Sequence, residues 1–359
     1  MANLKTCALL SDAFGPSGFE NEVSDIICAT LAGFDTRTDS MQNTYAFLPE
    51  QNTDMPLVML DAHTDEVGFM VQSITDKGLL RIVPLGGWVE HNIPAHIFWV
   101  RNKNGELIKA VSSSKPPHFM TDAQRKAAIT LDDIFLDVGV CCRNDAIELL
   151  NIEPGAPVCP DVSFEYNDST DVMLGKAFDC RLGCAAAIEI FERLANRPLN
   201  VRVAASFSSQ EEVGLRGAKV AAARLCPSLA ICLEGTPADD MFTAECEIQG
   251  GLKRGVQLRY RDGTMVSSPA FVAFARKIAE ENGINLQCAV RTGGGTNAGN
   301  IHLAANGVPT LVLGIPVRYA HTHYGYAAQS DFDAAVDLAT AIIKALTPDV
   351  LCTLLGDEI

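Results

Sequence analysis

The chain has 359 residues, 48% hydrophobic and 20% charged, with 28 Lys+Arg against 44 Asp+Glu and a formal net charge of -16. That length exceeds what one small core needs and predicts a large domain with an insertion, or two domains. The acidic balance repels nucleic acid and anionic membrane surfaces, so neither is expected as a partner; a soluble cytoplasmic enzyme is.

Residues 1–15 do not have the pattern of a signal peptide, and no apolar run reaches the length of a membrane span. The 12 cysteines include no C-x-x-C pair, which predicts reduced, buried thiols rather than disulfides or structural zinc. In chain order, a helix is expected over 4–14, a break at Gly15-Pro16-Ser17-Gly18, and a second helix over 20–31. Two strands should follow. The second, 57–62, is apolar enough to be buried on both faces and delivers His63 and Asp65 at its C-terminal end, where α/β sheets usually place functional groups. From about 70 to 164 short alternating runs and turn signals such as Asn104-Gly105 predict a β-rich insertion. Beyond it, helices over 181–194, 214–224, 268–282, 297–305 and 329–345 alternate with strands over 201–208, 229–233, 286–290 and 310–313. This is the pattern of an α/β fold: a mixed, largely parallel sheet with helices on both faces. Residues 1–70 and 165–359 would form it, and 71–164 the inserted domain.

Five short segments contain the chemistry: His63-Thr64-Asp65-Glu66-Val67-Gly68, Asp179-Cys180-Arg181-Leu182-Gly183, Glu211-Glu212-Val213-Gly214, Leu233-Glu234-Gly235 and His321-Thr322-His323. Two histidines and three carboxylates suit a pair of Zn²⁺, Co²⁺ or Mn²⁺ ions, since imidazole matches borderline metals and a carboxylate can bridge two cations. Three anionic ligands against two dications leave about +1, which one bridging hydroxide neutralises. On an extended backbone Asp65 points the same way as His63 and can fix its tautomer. The neighbours Glu211 and Glu212 diverge, so one could bind metal while the other works as a base; a solvated charge pair is the plainer alternative. Asp179, just ahead of a helix, could equally be its N-cap. The Gly293-Gly294-Gly295-Thr296 loop has neither Walker lysine nor G-x-G-x-x-G spacing, and fits close backbone approach to a substrate or a tight turn.

With Lys176-Ala177-Phe178-Asp179-x-Arg181, Glu211-Glu212-Val213-Gly214-Leu215-Arg216-Gly217-Ala218, Thr292-Gly293-Gly294-Gly295-Thr296 and Ile315-Pro316-x-Arg318-Tyr319-x-His321 added to the His63–Gly68 segment, the chain resembles the M42 family of metallo-aminopeptidases over nearly its whole length. The resemblance implies two metals held by His63, Asp179, Glu212, Glu234 and His321, with Asp179 bridging; His323, two residues from His321, is the fallback ligand. The resemblance implies Glu211 as general base and Asp65 as the residue that orients His63; in the glycine loop, Gly294, Gly295 and Thr296 are the expected substrate contacts. It also implies hydrolysis of N-terminal residues from peptides by a metal-bridging hydroxide, an inserted β-rich dimerisation domain and assembly as a dimer or a hollow tetrahedral dodecamer. Three positions depart from the family's usual aspartate or asparagine: Glu234, Asn297 and Cys180. A metal-independent glycosidase, since some relatives are labelled endoglucanases, and a catalytically silent assembly protein are the competing readings.

Overall fold

The computed structural model describes residues 4–49, 52–113 and 115–356, so the first three residues of the N-terminal stretch read above lie outside it. Strand Leu57–His63 is buried at every position, as its unbroken apolar run requires. It pairs in parallel with Arg202–Ser208 on one side and Leu229–Pro237 on the other, and Thr310–Val317 continues the parallel set. These four strands form the centre of an eight-stranded sheet. Thr44–Phe47 and Asp35–Thr38 extend one edge antiparallel; Val256–Arg261, antiparallel to Thr310–Val317, and then Leu286–Val290 extend the other.

The two-residue period of the strands sorts side chains between two helical layers. Val58, Leu60 and Ala62 join the larger core, with Phe191 of helix Phe178–Leu194, Phe332 of Gln329–Lys344 and Leu10 of Leu4–Asp12. Met59 joins a smaller one, with Ala218 and Ala221 of helix Arg216–Leu225 and Ile301 of Ala298–Ile301. The expected mixed sheet, parallel at its centre and covered on both faces, is therefore what forms.

Between Gly68 and Pro160 six antiparallel strands close into a barrel, in the order Gly68–Ile74, Leu80–Leu85, Phe135–Asp137, Leu107–Ser113, Ile97–Arg101 and Pro157–Pro160. Closure removes the exposed edges that a two-sided sheet would leave. Phe69, Val71, Leu80, Phe98, Val100 and Val158 fill the interior. Ile97, Leu107 and Val111 stay on the outside at 44%, 41% and 49% exposure.

Several local expectations differ from the fold. Three strands, not two, follow the second helix, because Asp35–Thr38 and Thr44–Phe47 form a hairpin too polar to be read as a pair. The strand expected to stop at 233 continues to Pro237, so Glu234 lies inside the sheet. The helix expected over 297–305 shrinks to Ala298–Ile301. Strand Val256–Arg261, helix Pro348–Leu355 and the small sheet of Glu165–Asn167, Val172–Gly175 and Gly325–Ala328 were not anticipated. All 12 cysteines are free, but Cys141, Cys226, Cys246, Cys288 and Cys352 are exposed, which corrects the expectation of uniformly buried thiols. No single helix among the described residues is long and apolar enough to cross a membrane.

A buried ionic brace holds the sheet end against two helices. Glu66 accepts from Lys176 Nζ at 2.6 Å and from Arg181 Nη2 at 3.4 Å, all three side chains at most 3% exposed. Arg181 also donates to the carbonyls of Thr64 at 2.7 Å, Leu10 at 2.6 Å and Gly15 at 3.1 Å. Lys176 and Arg181, both prominent in the motifs above, are thus structural. Glu66→Gln leaves two buried cations short of their counter-charge and should destabilise the protein by about 3 kcal/mol, read from urea unfolding midpoints. A change below about 1 kcal/mol would show the brace to be dispensable.

Candidate metal centre

His63, at the C-terminal end of its strand, has partners on both ring nitrogens. Nδ1 lies 3.1 Å from the Asp65 carbonyl and 3.5 Å from its carboxylate. Nε2 lies 3.0 Å from Asp179 Oδ1 and 3.2 Å from Glu234 Oε1. On the other side His321 Nε2 stands 3.6 Å from both Asp179 Oδ2 and Glu212 Oε2. Asp179 therefore turns one oxygen to each imidazole. It does not cap its helix: no side chain caps that end, and Asp179 and Cys180 leave helical backbone angles.

Asp65 does more than face His63. Its two carboxylate oxygens accept the backbone N–H groups of Glu211 at 2.8 Å and Glu212 at 3.0 Å, and the Ser17 hydroxyl at 2.6 Å. The diverging pair is thereby held as a unit, with Glu212 towards His321 and Glu211 Oε2 3.9 Å from His63 Nε2. His323, the fallback ligand, lies elsewhere: it stacks on His96 with centroids 3.8 Å apart. Cys180 donates its thiol to the Leu233 carbonyl at 3.0 Å, and Asn297 donates to Asp61 at 2.7 Å. Of the three departures Glu234 and Cys180 reach the cluster, each with a ligand atom within 4.8 Å of those of His63 and Asp179, and Asn297 does not.

Donor atoms around a four-coordinate cation with bonds near 2.0–2.1 Å stand roughly 3.3 Å apart. The separations of 3.0 and 3.2 Å in one group and 3.6 Å in the other are of that size. Burial pushes the Glu234 carboxyl up to about 7 and that of Glu212 to about 8, the nearby Asp179 adding to the latter. Glu211 is carried well above the usual carboxylate range by burial, against the pull of His63 and with the push of Glu234. Burial works against the charge of Asp179, yet hydrogen bonds from His321 and His63 hold it below its ordinary value. For His321 burial is likewise outweighed, by Asp179 and Glu212, and the imidazolium persists to about 10. Four carboxyl groups thus crowd two imidazoles, and among the described residues no lysine or arginine ion-pairs with any of the four. Such a donor set fits divalent cations, which supply the missing positive charge.

The cluster opens into a cavity of about 550 Å³ whose wall includes Asp179, Glu211, Glu212, Glu234 and His321, with Gly293, Gly294, Gly295 and Thr296 on the wall as well. Two arginines given no role in the sequence, Arg259 and Arg291, also line it. Arg259 is tied to Thr236 at 2.6 Å and Asp262 at 3.3 Å. Arg291 donates to the Pro237 carbonyl at 2.5 Å, its charge disfavoured by burial and by Arg259. The Nε of each is buried without a hydrogen-bond partner. Arg259 sits in no motif, and Arg291 heads the glycine loop, where nothing local marks a role for its side chain.

The family model described as M42 glutamyl aminopeptidase matches residues 43–338. The chain belongs to the M42 peptidase family. Glutamyl aminopeptidase of Lactococcus lactis subsp. cremoris is 32% identical over 343 residues, 95% of each chain. The TET aminopeptidase of a marine sediment Thaumarchaeota archaeon superposes with a TM-score of 0.93 at 32% identity over 97% of both chains. The Pyrococcus horikoshii TET1 peptidase, described as able to assemble into a tetrahedron or a large octahedral shell, superposes with a TM-score of 0.85 at 26% identity, over 96% of this chain and 99% of its own. This M42 member is accordingly a peptidase, a hydrolase of peptide bonds.

Proposed function

We propose that the protein is an aminopeptidase removing N-terminal residues from peptides at two divalent cations, Zn²⁺, Co²⁺ or Mn²⁺. The observation that carries this reading is Asp179, one oxygen toward His63 and the other toward His321. Asp179 would be shared, with His63 and Glu234 completing one subsite and Glu212 and His321 the other. Two cations so held would supply Lewis acidity toward the scissile carbonyl and make a water more acidic. Glu211, buried beside His63, takes the proton of the attacking water and returns it to the leaving amine, a task for a carboxyl that burial raises above its usual range. Asp65 keeps His63 in the tautomer that leaves Nε2 free and holds the Glu211–Glu212 backbone in place. Gly294, Gly295 and Thr296 would line the path of the substrate backbone.

Arg259 and Arg291 give the cavity a cationic wall that suits an acidic N-terminal side chain, the preference in the name of the Lactococcus relative. A panel of aminoacyl chromogenic amides with each metal tests the proposal: glutamyl and aspartyl amides should be cleaved fastest, and chelator should abolish all turnover. Turnover that survives exhaustive chelation would defeat the metal reading and revive the glycosidase or another metal-free mechanism. Glycosidases need two carboxyls across an open scissile bond; here four carboxyls crowd two imidazoles. Glu211 at the cavity also gives no support to a catalytically silent assembly protein.

The barrel between Gly68 and Pro160 would mediate dimerisation, and by similarity to the relative described as able to assemble into a tetrahedron, a larger closed particle. Ile97, Leu107 and Val111 on its outer face supply apolar surface to cover. Light scattering should find the wild type a dimer or larger, and Ile97→Asp with Val111→Asp shifted to smaller species. A monomeric wild type at micromolar concentration would contradict it.

A further inference from the structure

The barrel reaches one half of the candidate centre. After strand Leu80–Leu85, Gly86 has φ +86°, and a Cβ there would stand 3.1 Å from Glu212 Cβ and 3.2 Å from its Oε2. The next carbonyl, of Gly87, accepts from His321 Nδ1 at 3.0 Å. Such a bond fixes the tautomer and leaves Nε2 as the ligand atom. The segment bearing His321 is also anchored from its other end. His323 is 1% exposed, stacked on His96 at 3.8 Å and edge-on to the barrel's Phe98 at 4.8 Å and Trp88 at 5.2 Å. His96 is itself held by the Pro94 carbonyl at 2.9 Å and the Ser112 hydroxyl at 3.0 Å. Tyr319 and His321 have left-handed φ values of 63° and 61°, a conformation that non-glycine residues keep only with outside support.

We propose that the barrel is a positioning element for the Asp179–Glu212–His321 subsite: its Gly86–Gly87 turn and the seat of His323 set the geometry of His321 and Glu212. The His63–Glu234 subsite, built on the central sheet, does not depend on it. This inference rests on the two-cation reading above. His323 serves as an apolar anchor, its Nε2 buried without a hydrogen-bond partner.

Gly87→Ala is a selective probe, because the new Cβ would meet nothing within 4 Å but the His321 ring, at 3.2 Å from Nδ1 and 3.8 Å from Cε1. His323→Ala empties the anchor, and His323→Phe refills it with an apolar ring. Each variant is titrated with Co²⁺ by calorimetry and followed by the cobalt absorption spectrum, with kcat and KM measured separately. Gly87→Ala and His323→Ala should weaken one of two binding steps by about ten- to hundredfold and leave the other unchanged, the scale of losing a ligand's supporting hydrogen bond. The spectrum should change, kcat should fall with KM little altered, and His323→Phe should restore the weakened step. Two unaltered steps in both variants, whatever the melting temperature, or two steps weakened equally, would overturn the inference. A wild type that binds no more than one ion defeats the two-cation reading beneath it, a result distinct from failure of the variants.

Discussion

Glu211→Gln should leave the fold and metal uptake intact and lower kcat by a factor of about 10²–10⁴, the usual contribution of a general acid–base. Glutamine keeps the shape of the side chain, and the backbone N–H of residue 211 still donates to Asp65, so the Glu212 neighbour keeps its place. What disappears is the ability to accept a proton. Burial raises the Glu211 carboxyl above its ordinary range, and it is the one most distant from an imidazole, at 3.9 Å against 3.0–3.6 Å for Asp179, Glu234 and Glu212. Metal content by elemental analysis and kcat on the best amide, measured on the same preparation, decide the matter. Activity within a few-fold of wild type would remove Glu211 from the proposed role.

Asp179→Asn is expected to cost more. The aspartate faces both imidazoles, and its charge is favoured by both, so the amide weakens two subsites at once. Loss of an outer partner of a metal ligand costs about 10–100-fold; losing the shared ligand should exceed that, on the order of 10³-fold or more in kcat/KM, with at most one ion retained. Glu234→Gln, confined to the His63 subsite, serves as the comparison. If Asp179→Asn retains two ions at wild-type affinity, Asp179 is not shared.

The parts of this architecture legible in the sequence are those governed by local rules. The run 57–62 could be read as a buried strand because burial on both faces demands continuous apolar residues, and that reading placed His63 and Asp65 at the strand end where they stand. Turn signals marked out the β-rich segment, but its closure into a barrel depends on Pro157–Pro160 pairing with Gly68–Ile74 some ninety residues earlier, which no local pattern encodes. The motif residues His63, Asp179, Glu211, Glu212, Glu234 and His321 converge as a set. Asp65's hold on the Glu211–Glu212 backbone was invisible, because its partners are main-chain N–H groups that every residue possesses. Arg259 and Arg291 were missed for a related reason: isolated arginines on separate segments acquire meaning only when the sheet brings them to one cavity. Gly86 and Gly87 have no readable role in the sequence, because their neighbours, Glu212 and His321, come from distant segments.

The most direct test of the two-cation centre is anomalous diffraction from crystals of the protein loaded with Zn²⁺ or Co²⁺. Two peaks about 3.5–4 Å apart are predicted. One should lie within bonding distance of His63, Asp179 and Glu234, the other of Asp179, Glu212 and His321. A single peak, or ions bound instead away from these residues, would contradict the account.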